Sequence, residues 1–117
     1  MVSAQEAFRR LAIGDPALLA TIAEPDGELR RFRLPDATET LIHVVALIPI
    51  DPPQSSYDEA VGGALRAGVT LEDLLAALVA VAASVGWPRI VAAAPRIALA
   101  AGYDVDAELE SADAVYP

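Results

Sequence analysis

The sequence has no cysteine and no lysine, a single histidine and few aromatic residues. Without cysteine the chain offers no thiol nucleophile, no disulfide and no thiolate metal ligand. All eight basic residues are arginine, so no Schiff base can form on a side-chain amine. One histidine, His43, excludes a His-rich zinc site and the paired histidines of a helical zinc protease motif. Carboxylate, imidazole, hydroxyl and guanidinium chemistry remain, and no cofactor is called for. Positive charge is also scarce: 8 basic residues face 17 acidic ones, for a net charge of −9. Such a chain repels a phosphate backbone, and the one basic cluster, Arg30, Arg31 and Arg33, is too small for a nucleic-acid face. Long hydrophobic runs are missing as well. The longest mostly apolar stretch, residues 74–87, falls short of the roughly 20 residues that span a bilayer, so no membrane partner is expected. Ser3, Gln5, Glu6, Arg9 and Arg10 near the start do not read as a secretory signal, and the expected location is the cytoplasm.

The 117 residues fit one domain, 55% of them apolar, with a mean hydropathy of +0.42. Much of that excess is alanine, in residues 60–67 and 74–101. Short alanine-faced helices cannot all be hidden inside so small a chain, which implies a homo-oligomer.

Local patterns read as helices throughout, an all-α fold. Residues 3–6 (Ser-Ala-Gln-Glu) have capping-box spacing and open a helix to about residue 13. Gly14 suits its end, Asp15-Pro16 starts a short second helix over 17–23, and Pro25-Asp26-Gly27 ends that in a turn. Residues 28–34 read as irregular. From Asp36, taken as a cap, Leu41, Val44, Val45 and Ile48 recur at helical spacing until Pro49, Pro52 and Pro53 close the segment. Residues 56–59 (Ser-Tyr-Asp-Glu) form a second box, starting a helix to Ala67 that Gly68 stops. Residues 70–73 (Thr-Leu-Glu-Asp) start the next, with Leu71, Leu74, Leu75, Leu78, Val81 and Val85 on its buried side. Gly86 ends it, Pro88 opens a last helix to Ala101, and Pro95 should kink that helix. The tail, residues 104–117, adds at most a short helix before fraying.

Residues 34–42 (Leu-Pro-Asp-Ala-Thr-Glu-Thr-Leu-Ile), then 64–78 with the Gly68, Val69, Thr70 turn, then 85–88 (Val-Gly-Trp-Pro) before an alanine-rich helix resemble the carboxymuconolactone decarboxylase family, which includes the alkylhydroperoxidase D-type proteins. The match covers about the last two-thirds of the chain: N-terminal helices over 1–33, a family-like core over 34–101, and a tail over 102–117. The resemblance implies an alkylhydroperoxidase D-like helical bundle that oligomerises, as a trimer or hexamer. The family's redox branch carries Cys-x-x-Cys-x-x-x-His before the glycine turn and a glutamate on the preceding helix. Counting back from Gly68 without gaps puts the cysteines at Pro53 and Ser56, the histidine at Ala60, and the glutamate at Thr40 or Leu41. None matches. A two-residue slip would instead select Asp51, Gln54, Asp58 and Glu39. In either register, thiol redox activity is excluded, because the chain holds no sulfur nucleophile. The expected function is that of a carboxymuconolactone decarboxylase-like protein with a degenerate site. The alternative is a cofactor-independent lyase or isomerase acting on a small carboxylate or lactone.

Glu39 and His43 lie four apart on one helix face, either as a carboxylate–imidazole pair for acid–base work or as a cap and a boundary residue. Asp58 is the third acid–base candidate. Ser56 and Tyr57 at the following helix start, with Trp87 and Arg89 near the last one, are the candidate substrate contacts. Each has a plain structural alternative: a helix cap for the first pair, a solvated or paired side chain for Arg89.

Overall fold

The computed structural model describes residues 2–105 and 109–110, and among these every regular element is helical. The order is α1 (Ala4–Ala12), α2 (Pro16–Leu19), a 3₁₀ turn (Glu28–Arg31), α3 (Asp36–Ala46), α4 (Gln54–Arg66), α5 (Leu71–Val85) and α6 (Trp87–Ala100). The chain divides into two compact units, Met1–Leu34 and Pro35–Pro117. Most of the residues expected in the C-terminal tail fall outside the described positions.

In the first unit, Ser3 caps α1 by accepting from the Glu6 backbone N–H at 3.1 Å. Only half of the expected box forms, because the Glu6 carboxylate turns forward to Arg9, at 2.6 and 2.9 Å. Asp15 caps α2 through the Ala17 N–H, and Arg10 reaches both Asp15 at 2.7 Å and Glu28 at 3.0 Å, fastening α1 to the 3₁₀ turn. Helix α2 stops at Leu19, not at residue 23. The Thr21 hydroxyl donates to the Leu18 carbonyl, and the following bonds span three residues instead of four. Gly27 is required here: a Cβ would sit 2.2 Å from the Thr21 carbonyl oxygen. The next stretch, expected to be irregular, winds into the 3₁₀ turn, and Arg31 donates to the Val2 carbonyl.

In the second unit α4 packs against α3 and α6, and α5 against α6 and α3. Buried side chains repeat at helical spacing: Tyr57, Val61 and Ala64 on α4; Leu74, Leu78 and Ala82 on α5; Ile90, Ala93 and Ile97 on α6. Val44 and Ile48 complete the core from the first helix of the unit, as its apolar stripe predicts. The expected buried side of α5 needs correction. Leu71 and Leu75 face outward, and the inner stripe is Leu74, Leu78 and Ala82 flanked by Val81 and Val85.

Helix ends follow local chemistry. Thr70 and Asp73 form a complete capping box, with Asp73 N–H donating to the Thr70 hydroxyl at 3.1 Å and Thr70 N–H to the Asp73 carboxylate at 2.9 Å. Gly68 and Gly86 take positive φ angles of 92° and 90°, which a residue with a Cβ adopts only under strain. The cap of α3 is Pro35, leaving Asp36 in the first turn. Helix α4 begins at Gln54 with Pro53 as its cap, two residues before the predicted box, so Ser56 lies inside the first turn and caps nothing. Helix α6 runs on through Pro95, which removes one backbone donor without ending it.

The Thr70 bonds hold the Asp73 carboxyl below its ordinary range. A lowered folded-state value stabilises the fold above the ordinary aspartate range, and that stabilisation disappears as the pH falls through the lowered value. Thr70→Ala is expected to cost about 1 kcal/mol in urea unfolding at neutral pH. Asp73→Asn should lower the midpoint at pH 7, with the difference from the parent closing as the pH drops below 3.8.

Candidate functional site

The i, i+3, i+4, i+7 spacing puts Asp36, Glu39, Thr40, His43 and Leu47 along one side of α3. The same spacing puts Ser56, Glu59, Ala60, Gly63, Arg66 and Ala67 along one side of α4. These two rows face each other across an open groove of about 400 Å³ at its Leu47–Ser56 end and about 380 Å³ at its Asp36–Ala67 end. The helices are antiparallel, because Leu47 meets the start of α4 and Asp36 meets its end. Small residues on the α4 side, Ala60 and Gly63, keep the groove open.

His43 is exposed in this groove, beside half-buried Glu39 and Thr40. The Thr40 hydroxyl is turned to its own helix, within 2.9 and 3.0 Å of the Asp36 and Ala37 carbonyls, and is not presented to a ligand. Arg66 lies back along α4 over Gly62 and Gly63. A Cβ on Gly62 would approach its Nη1 to 3.3 Å, and one on Gly63 its Nη2 to 3.8 Å. Two glycines inside a helix each cost about 1 kcal/mol relative to alanine, and here their bare backbone is the bed on which a guanidinium rests. Within the described residues His43, Glu59 and Arg66 form no hydrogen bond or ion pair. No group of three His, Asp or Glu among those residues is placed to hold a metal ion.

The other sequence candidates divide. Ser56 lines the groove. Tyr57 does not: it is 1% exposed and belongs to the core. Burial pushes its hydroxyl above the ordinary tyrosine range, with the Arg96 charge pulling it down and Asp51 pushing it up. Asp58 also turns away from His43. It accepts from Gln54 Nε2 at 3.1 Å, the same amide that donates to the Arg96 carbonyl at 2.8 Å on α6. Trp87 and Arg89 are exposed at the start of α6 and line neither end of the groove.

Arg96 gathers the chain leading into α4, donating to the Pro52 carbonyl at 2.6 Å and to Asp51 at 3.3 Å. Asp51 has a φ of 53°, the left-handed value usually left to glycine after a helix. Of the gapless set, Ser56, Ala60 and Thr40 line the groove and Pro53 does not; of the slipped set, Glu39 lines it while Asp51, Gln54 and Asp58 cluster at Arg96. Arg66 and Glu59 are the groove residues that sequence reasoning did not select; the Gly62-Gly63 pair at helical distance before Arg66 was the available signal. Comparison with protein-family models, curated proteins and solved structures found no match to this chain.

Arg96→Ala should lower unfolding stability by about 1–3 kcal/mol, because it releases the Pro52 carbonyl and Asp51 together. Asp58→Asn, at an exposed position, should stay within about 0.5 kcal/mol of the parent in the same urea titration.

Proposed function

We propose that this chain is a self-associating protein of carboxymuconolactone decarboxylase-like architecture without thiol redox activity. Its α3–α4 groove is a former reaction site reduced to binding a small organic acid or lactone. One observation carries this reading: the positions that the gapless family register assigns to the second cysteine and the histidine, here Ser56 and Ala60, line one groove with Thr40, one of the two positions (Thr40 or Leu41) open to the glutamate. With a hydroxyl, a methyl and an internally bonded hydroxyl at those positions, the inherited nucleophile and proton relay are gone. Arg66 supports the binding role, since a planar guanidinium pairs with a carboxylate through two parallel hydrogen bonds. Glu59 in the same groove limits the favoured ligand to low negative charge.

A thermal-shift screen of small organic acids and lactones tests this, because a ligand bound only to the folded state at a hundred times its Kd adds about 2.7 kcal/mol. At least one compound is expected to raise the midpoint by several degrees, with the shift lost in Arg66→Gln. A screen without any shift refutes the binding role.

The second reading is a cofactor-independent lyase or isomerase. It draws on exposed His43 and neighbouring Glu39 in the same groove, the one place where an imidazole can reach a bound molecule. Under that reading His43→Gln removes turnover of the stabilising compound while leaving its thermal shift in place. Equal turnover in both proteins rejects it.

A further inference from the structure

Residues 74–88 carry no charge, in a chain whose net charge is −9. They form most of α5 and the turn into α6, and much of their apolar surface lies uncovered. Leu71, Leu75 and Val79 recur every fourth residue along α5, the last two 62% and 64% exposed. On α6, Trp87 and Val91 are 66% and 69% exposed. Between the helices runs an apolar groove of about 340 Å³, lined by Leu71, Leu75 and Leu78 on one side and Ala94, Ala98 and Tyr103 on the other. Trp87, Val91, Ala94 and Ala98 share one α6 face by helical spacing, so the exposed residues of α6 prolong the wall of that groove. Apart from Glu72 at the Leu71 end of the groove, groove and ridge are apolar.

We propose that this surface is where two copies of the chain meet, α5 against α5 of the second copy across a two-fold axis near Val79. The inference rests on the self-association invoked above and is independent of the α3–α4 groove. Charge selects the occupant. Two copies of an acidic chain repel wherever acidic faces meet, and residues 74–88 offer the stretch on which they approach without that penalty. A basic protein partner would be drawn to the acidic faces instead. An anionic membrane surface would need basic side chains beside the apolar ones, and only Arg89 adjoins this stretch. Exposed Ala76, Ala80 and Ala83 let the helix axes come close, and Leu75 and Val79 of one copy can fill the spaces beside those alanines on the other. A two-fold contact uses the same patch on both copies, so one uncharged, self-complementary face is sufficient. It closes as a dimer or recurs within a hexamer, but it does not make a trimer by itself.

Light scattering on a sizing column at tens of micromolar should give twice 12.2 kDa or a larger even multiple. Leu75→Glu combined with Val79→Glu should give the single-chain mass with unchanged helical circular dichroism. Ile50→Glu, at a position 67% exposed outside this face, should keep the parent mass. Because the chain has no cysteine, Val79→Cys supplies a unique thiol, expected to form a covalent dimer under mild oxidation while Ile50→Cys does not. A single-chain mass for the unmodified protein overturns the proposal. So does an assembly that survives the double glutamate substitution, or equal cross-linking of both thiols. A ligand-induced thermal shift retained in the glutamate variant would leave the α3–α4 groove standing on its own.

Discussion

The second unit depends on the burial of one face of α4. Tyr57, Val61 and Ala64 are sealed from water, and covering them takes α3 on one side and α6 on the other. Tyr57, at the start of that row, is the largest of these buried side chains. The remaining side of α4 is built from Ala60, Gly63 and Ala67, too small to refill the space toward α3, and the groove results. Large residues inward and small ones sideward on a single helix thus set both the core and the site.

Arginine has two employments in this acidic chain. Arg10 and Arg96 act as internal clamps, each holding chain segments through carboxylates or carbonyls that their forked donors reach together. Arg66 has no such partner among the described residues, although acidic side chains share its groove. Its position follows from the missing side chains of Gly62 and Gly63 beneath it. A side chain at Gly62 would press on the guanidinium, whereas one at Gly63 would only touch it, which links backbone composition at Gly62 to the electrostatics of the groove.

The α5 helix shows a similar economy on the opposite side of the unit. Beyond its acidic first turn it carries no charge, and its inner stripe of Leu74, Leu78 and Ala82 does not use up its hydrophobic surface. Leucines at Leu71 and Leu75 that would be core residues in a larger domain stand outside because α6 and α3 already fill the inner side. The excess of apolar residues over core space is a property of this chain's size.

The all-helical class, the capping box at Thr70 and Asp73, the glycine stops at Gly68 and Gly86, and the stripe through Val44 and Ile48 were all determined by residues within a turn or two of one another. Such signals are hydrogen bonds and backbone angles that local sequence controls, so they could be read directly. Where two local signals competed the reading failed: Pro53 started α4 ahead of the Ser56 box, and Arg9 took the Glu6 carboxylate from its cap. Only tertiary structure decided that Tyr57 is core, that Asp58 turns toward α6, that Leu71 and Leu75 face out, and that Arg66 and Glu59 join His43 in one groove. Those outcomes depend on which neighbouring helix covers which face, a choice made by packing between residues far apart in the chain.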